Sequence, residues 1–327
     1  MSQKHLLLIV FILSISITSI PSSQSRLTTG YYSKSCPKFS EIIQNIVIDK
    51  QLNSPTTAAG TLRLFFHDCI TNGCDASILI SSNPFNKAER DTEINLSLPG
   101  DAFDVITRAK TKLEFECPGK VSCADILATA TRDLVLMVGG PYYNVKLGRK
   151  DGLSSKSSLV EGKLPKPTMK MSQIYKLFSD KGFSIEEMVA LSGAHTIGFS
   201  HCKEFANKIY GSKVDPTLNP RFADALRKAC AKYKSDSTTS VFNDIMTPGK
   251  FDNMYFINLQ RGLGLLESDR ALFGVPSTKR FVQRFAANQT EFFRVFARSM
   301  EKLSILGGRT GEIRRRCDQF NSIKTEE

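Results

Sequence analysis

The stretch Leu62-Arg63-Leu64-Phe65-Phe66-His67-Asp68-Cys69 is apolar apart from three groups of different chemistry. On a helix, Arg63 and His67 stand four residues apart and share a face, so a fixed cation and a titratable imidazole would look into one space. An imidazole with an ordinary pKa of roughly 6.5 exchanges protons near neutral pH. A guanidinium stays charged and stabilises developing negative charge. Spacing alone fits equally well a helix on which two polar residues happen to fall together.

Two further oxygen-rich stretches and a second histidine carry chemistry. Asp68-Cys69-Ile70-Thr71-Asn72-Gly73-Cys74-Asp75-Ala76-Ser77 offers the side chains of Asp68, Asp75 and Ser77 and the carbonyls of Thr71 and Gly73. Hard cations such as calcium take about six to eight oxygens from such a loop. The twelve-residue EF-hand pattern is missing, and an Asx-rich turn has a similar composition. Leu191-Ser192-Gly193-Ala194-His195-Thr196-Ile197-Gly198 puts His195 on the apolar side of a helix, among small residues that clear space for something large and flat. The alternative is a hydrogen-bonded core imidazole. His201, beside Cys202, is expected at the helix periphery. Asp244, Thr247 and Asp252 are spaced along one loop, and with Thr196 they make a second possible hard-cation set.

The elements that must position these groups follow from apolar periodicity. Ser40 to Leu52 has Ile42, Ile43, Ile46 and Val47 at helical spacing and is ended by Pro55. Ala58 to Cys69 is the helix that presents Arg63 and His67. Asn83 to Gly100 is a long loop punctuated by proline. Asp101 to Glu116 and Ser122 to Val138 are amphipathic helices, the second opened by Ser122 with Asp125 as a capping pair. Tyr142 to Leu147 reads as a short strand and Gly148 to Pro167 as loop. Met171 to Lys181 is helical, and Ser184-Ile185-Glu186-Glu187 is a capping box that starts the helix carrying His195. Arg221 to Cys230 and Asn253 to Leu263 are helical, Gly264 to Asp269 leads into a turn, and Glu291 to Leu306 is a long helix stopped by Gly307-Gly308. No internal repeat interrupts this order, and the class is mostly α.

Composition sets the compartment. Lys4 and His5 precede an apolar run, Leu6 to Ile20, that is short of the roughly 20 residues a membrane span needs and has the form of a signal-peptide core. Ser23-Gln24-Ser25 offers a cleavage site, so residues 1–25 are expected to be a signal peptide and 26–327 a single secreted, soluble domain. Cys36, Cys69, Cys74, Cys117, Cys123, Cys202, Cys230 and Cys317 are even in number, which suits four disulfides in an oxidising space. Eight cysteines allow 105 pairings, and only Cys69 and Cys74, around Gly73, suggest each other. The net charge of +12 fits either a solvated basic surface or attraction to polyanions such as acidic wall polysaccharide. It does not point to nucleic acid in a secreted chain, and no later segment is apolar enough to span a bilayer.

Arg63-Leu64-Phe65-Phe66-His67-Asp68-Cys69, Asn72-Gly73-Cys74-Asp75-Ala76-Ser77, Leu191 to Gly198 and Phe251-Asp252-Asn253 share one further property. With the eight cysteines, they make the chain resemble the class III secretory plant peroxidases, the haem family that includes horseradish peroxidase. The resemblance covers essentially the whole mature chain. It implies a mostly α, two-half helical fold with b-type haem between a distal half (about 26–165 plus a C-terminal return) and a proximal half (about 166–290). It implies His195 as axial ligand of the haem iron and Asp269 as the carboxylate on the other ring nitrogen. His67 becomes the distal base, Arg63 the charge stabiliser, Asn95 the partner that orients His67, and Phe66 the shield of the haem edge. Pro165 would bind aromatic donors through its carbonyl. Asp68, Thr71, Gly73, Asp75 and Ser77, with Glu89 through water, match a distal calcium site, and Thr196, Asp244, Thr247 and Asp252 a proximal one. The implied disulfides are Cys36–Cys117, Cys69–Cys74, Cys123–Cys317 and Cys202–Cys230. The implied activity is reduction of hydrogen peroxide with one-electron oxidation of small phenolic donors, by an extracellular or cell-wall monomer.

The sequence departs from the family pattern in two places. The run after Asn95 is one residue longer than usual, and Tyr143 stands where the family has its single tryptophan. A silent wall protein on the same fold and a metallohydrolase are the competing classes. The intact Arg63, His67, His195 and Asp269 set argues against the first, and the lack of HExxH or a carboxylate-rich zinc set against the second. Asn95-Leu96-Ser97 and Asn288-Gln289-Thr290 are glycosylation sequons. Asn288 is expected to carry a glycan, and Asn95, turned toward His67, is not.

Overall fold

In the computed structural model, which describes residues 27–211 and 215–322, helices form where apolar side chains recur every three or four residues. The expected signal peptide lies outside the described residues. One group of helices comprises α1 (Phe39–Asn53), α2 (Thr57–Asn72), α3 (Gly100–Glu116) and α4 (Cys123–Met137), with α1 and α2 each packed on α3 and α4. A second comprises α5 (Met171–Ser179), α6 (Ile185–Ser192), α9 (Met254–Gln260), α10 (Glu267–Gly274), α11 (Pro276–Ala287) and α12 (Gln289–Ser304), with α11 in contact with α6, α9, α10 and α12. Helix α12 also touches α2, and one continuous apolar core runs through both groups. The short α7 (Ala206–Ile209) and α8 (Pro220–Ala229) close a small separate core around Cys202, Phe205, Phe222 and Cys230. The strands β1 (Phe199–His201) and β2 (Ser240–Phe242) pair antiparallel, Ser200 opposite Val241. No helix among the described residues is long and apolar enough to cross a membrane.

Sulfur atoms pair as Cys36–Cys117, Cys69–Cys74, Cys123–Cys317 and Cys202–Cys230, with no free cysteine. The Cys123–Cys317 link ties residues 194 apart and brings the C-terminal segment back onto α4. Gly73, at φ +110, ends α2, and a Cβ there would lie 2.7 Å from Gly307 Cα, so the two backbones meet only because neither residue carries a side chain.

Several local expectations are corrected. Helix α2 runs past the expected end at Cys69 to Asn72, so Thr71 is helical rather than in a loop; Thr71 Oγ1 donates to His67 O at 2.8 Å and Ile70 is buried. Tyr142 to Leu147 forms no strand. Leu147 bridges Thr28 alone, while the Asn144 N–H goes to Glu301 and the Gly148 N–H to Asp125, so side chains satisfy the backbone instead of a ladder. The stretch Gly264 to Asp269 leads into helix α10, which contains Asp269, and not into a turn. The capping box at Ser184 and Glu187 is formed in both directions. At α4, Ser122 caps Asp125 N, but the Asp125 carboxylate turns inward. It accepts from Tyr32 OH at 2.7 Å, Gly148 N at 2.7 Å and Arg149 Nη1 at 2.8 Å, because a charge with 0 % exposure demands partners more than a helix end does.

Arg149 also binds the Ser304 carbonyl, so one buried ion pair joins α4 to the end of α12. Arg149→Met should therefore cost about 3–5 kcal/mol, as removing one partner of a buried pair does, and denaturant unfolding would read it; a loss within about 1 kcal/mol would show that the pair does not brace the fold.

Candidate functional site

A cavity of about 850 Å³ opens where the two helix groups meet, lined by Arg63, Phe66, His67, Pro165, His195 and Asp269 among others. This is within the size range of small-molecule and cofactor pockets. Its first wall is α2, whose pitch puts Arg63 and His67 on the cavity together. Phe66 also faces the cavity and stacks on Phe178 with centroids 5.8 Å apart.

One loop holds both polar groups of α2. His67 Nδ1 lies 2.6 Å from Asn95 Oδ1, and Asn95 Nδ2 donates to Glu89 O at 2.8 Å. An amide oxygen only accepts, so His67 carries its proton on Nδ1 and leaves Nε2 as the basic nitrogen. Burial, then the Arg63 charge, push the His67 pKa down to about 3 against the opposing hydrogen bond to Asn95 Oδ1. Arg63 Nη1 donates to Ser97 O at 3.0 Å, and Nη2 to Ser97 Oγ at 3.0 Å and Ile94 O at 3.2 Å. The longer loop of this sequence thus fixes the imidazole through Asn95 and the guanidinium through Ser97. Both required residues of the first sequon point inward, and Asn95 is 2 % exposed. Asn288, in contrast, is an exposed N-cap whose Oδ1 accepts from Glu291 N at 3.0 Å.

The second imidazole is built differently. Helix α6 ends at Ser192 and tightens into a 3₁₀ turn, Gly193–Thr196, that carries His195. His195 Nδ1 lies 2.9 Å from Asp269 Oδ1, and the same oxygen accepts from Tyr255 OH at 2.8 Å. Burial lowers the His195 pKa, but the Asp269 carboxylate outweighs it and the net shift is upward. With Nδ1 committed, Nε2 is the nitrogen able to bind a metal, and the ring is 42 % exposed where it lines the cavity. Of the small residues around it, Ser192, Ala194 and Gly198 line the cavity; Gly193 does not. A Cβ on Gly193 would strike Phe292 at 2.6 Å and Phe256 at 2.8 Å, so its smallness serves core packing. His201 ends β1 and lines the cavity, rather than lying at a helix periphery.

Two oxygen-rich sets flank the histidines in sequence. Asp68 and Glu89 are fully buried and Asp75 partly so. Asp68 accepts from Ala76 N at 3.0 Å, Asp75 from Ser77 N at 3.0 Å, and Glu89 Oε2 from Ser77 Oγ at 3.2 Å, while Glu89 Oε1 has no partner. Burial, then Asp75, raise Asp68 well above its usual range and Glu89 to about 7, and burial raises Asp75. Crowded carboxylates with an orphaned oxygen are the electrostatic signature of a place that suits a cation. The Gly73 carbonyl accepts from Asp75 N at 2.9 Å, and the Thr71 carbonyl accepts from Lys181 Nζ at 3.2 Å. In the second set, Thr196 Oγ1 and Thr247 Oγ1 each reach both Asp244 Oδ2 and Asp252 Oδ1 at 3.2–3.5 Å, so four oxygens converge. Among the described residues no three His, Cys, Asp or Glu side chains converge as a ready-made metal cluster; both sets depend on hydroxyls and carbonyls as well.

Tyr255, Ser97, Ile94 and Lys181 had no signal in the sequence. Tyr255 reads as a core aromatic of an amphipathic helix, and Ser97 as the third residue of a sequon. Tyr143 is buried and lies outside the cavity lining.

The geometry predicts a titration. Histidine NMR of the ligand-free protein should find the His67 ring neutral until the pH nears about 3, charging only below it. A midpoint near the ordinary value of 6.5 would contradict the burial and the Arg63 contribution.

The family model described as Peroxidase matches residues 43–288. Peroxidase 65 of Arabidopsis thaliana is 59% identical over 96% of this chain and 95% of its own length. Peroxidase 31 of the same plant is 61% identical over 92% of this chain and 95% of its own.

Proposed function

For a chain that belongs to the peroxidase family, we propose that His195 binds the haem iron, His67 moves the proton and Arg63 carries the developing charge. The protein is a haem peroxidase, an oxidoreductase that reduces hydrogen peroxide and oxidises aromatic donors. The observation that carries the assignment is one cavity lined by two histidines of opposite character: His67, neutral and held by an amide, and His195, tied to a carboxylate. When bound, haem supplies the iron at which the peroxide O–O bond breaks and from which electrons are drawn.

The protein's own groups do the rest. Asp269 takes the Nδ1 proton of His195 in a hydrogen bond, which fixes the tautomer and strengthens Nε2 as a ligand. His67 Nε2 accepts a proton from one peroxide oxygen and delivers it to the other, which leaves as water. Arg63, held by Ser97, offsets the negative charge on the departing oxygen. Asn95 keeps the His67 proton on Nδ1, Phe66 shields the cofactor edge, and the Pro165 carbonyl accepts from a phenolic hydroxyl. Two donor molecules are then oxidised by one electron each, and a second water is formed.

Calcium is the cation proposed for both oxygen sets, with Asp68, Thr71, Gly73, Asp75, Ser77 and Glu89 around the distal ion and Thr196, Asp244, Thr247 and Asp252 around the proximal one. The orphaned Glu89 oxygen and the four converging oxygens support this. The distal half is proposed to comprise about 26–165 with the C-terminal return, the proximal half about 166–290. We place the protein outside the cell as a monomer, where its +12 charge suits acidic wall polysaccharide; the four disulfides fit an oxidising compartment.

Two experiments test this. His195→Ala should lose haem or its normal Soret band, whereas His67→Ala should keep haem and react with peroxide about 10²–10⁴-fold more slowly in stopped flow. An unchanged spectrum and rate in either variant would remove that residue from its role. The second concerns calcium. Glu89 binds its proton more tightly folded than unfolded, so the folded state holds more protons between about 4.5 and about 7. Calcium-depleted protein should then lose stability as pH rises through that window, and saturating calcium should abolish the loss. Melting curves with the same slope in both states would refute the distal site.

A further inference from the structure

The proximal hydrogen bond is not a simple pair. Asp269 is 2 % exposed, and both of its hydrogen bonds fall on Oδ1: one from His195 Nδ1 at 2.9 Å, one from Tyr255 OH at 2.8 Å. Its other oxygen, Oδ2, is buried with no partner. Tyr255 has little freedom to leave. It is buried on α9, packs edge-on against His195 and Phe256 with centroids 6.1 and 5.1 Å away, and follows Asn253, whose amide binds the Phe285 and Ala286 carbonyls of α11.

An oxygen that serves two donors offers less charge to each. We propose that Tyr255 is a positioning residue for the proximal ligand: its phenol competes for Asp269 Oδ1 and so limits how far the carboxylate draws the Nδ1 proton from His195. A proton held more firmly on Nδ1 makes Nε2 a weaker donor, so Tyr255 sets the balance between ferric and ferrous iron. This rests on the reading that His195 binds the haem iron.

The test is the ferric/ferrous midpoint potential of the haem-loaded protein, measured by spectroelectrochemistry. Tyr255→Phe keeps the ring packing and frees Oδ1 for His195, so the potential should fall. Asp269→Asn weakens the acceptor, so it should rise. In the double variant, Tyr255→Phe should produce no further shift, because the phenol acts only through Asp269. A merely structural tyrosine would not generate this pattern of signs. Where Tyr255→Phe does not take up haem, a fluorinated tyrosine at 255, near-isosteric and a stronger donor, should raise the potential, and an unmoved potential there counts against the proposal. A potential that moves in Asp269→Asn but not in Tyr255→Phe overturns the role of Tyr255 alone. One that moves in neither overturns the His195 assignment beneath it.

Discussion

A histidine buried beside a guanidinium and a half-buried histidine bonded to a carboxylate are driven in opposite directions, and this chain places one of each on the same cavity. Burial disfavours charge on both rings. Arg63 adds to that at His67, whose pKa falls to about 3, while Asp269 reverses it at His195. The first ring is held neutral, and the second is drawn toward a carboxylate with Nε2 left open. Neither property resides in histidine; each belongs to the neighbour that the fold supplies.

The supports of the two rings have a common form. Each sits on a helical segment, and each is fixed at Nδ1 by a residue distant in sequence, Asn95 or Asp269. Each is followed at once by a residue of an oxygen-rich set, Asp68 after His67 and Thr196 after His195. A single peptide unit thus separates each oxygen-rich set from its imidazole. The loop from Glu89 to Ser97 does more than its composition suggests. It supplies Glu89 to one set, Asn95 to His67, and Ile94 and Ser97 to Arg63.

The shared face of Arg63 and His67 was legible because helical pitch brings residues four apart together and α2 is a regular helix, while the roles assigned to them came from the resemblance alone. His195 stood out by its small neighbours, although Gly193 proved to serve Phe256 and Phe292 instead of the cavity. Asn95 and Asp269 were found through the family resemblance, since no local pattern links them to a histidine 28 or 74 residues away. Tyr255 and Ser97 escaped for the same reason, Tyr255 with no motif to mark it and Ser97 marked only as part of a sequon. Tyr142 to Leu147 misled because alternation shows which residues are buried, not whether a neighbouring strand exists to take the backbone hydrogen bonds. His201 was misplaced because its strand is only three residues long and is defined by pairing with β2.

The central claim is that His195, braced by Asp269, holds the iron while His67 remains free to move protons. The most direct measurement is anomalous diffraction at the iron edge from crystals of the haem-loaded protein. The account predicts an iron peak within bonding distance of His195 Nε2, with His67 Nε2 facing the iron but not bound to it. An iron ligated by His67 or His201, or one remote from His195, would contradict it.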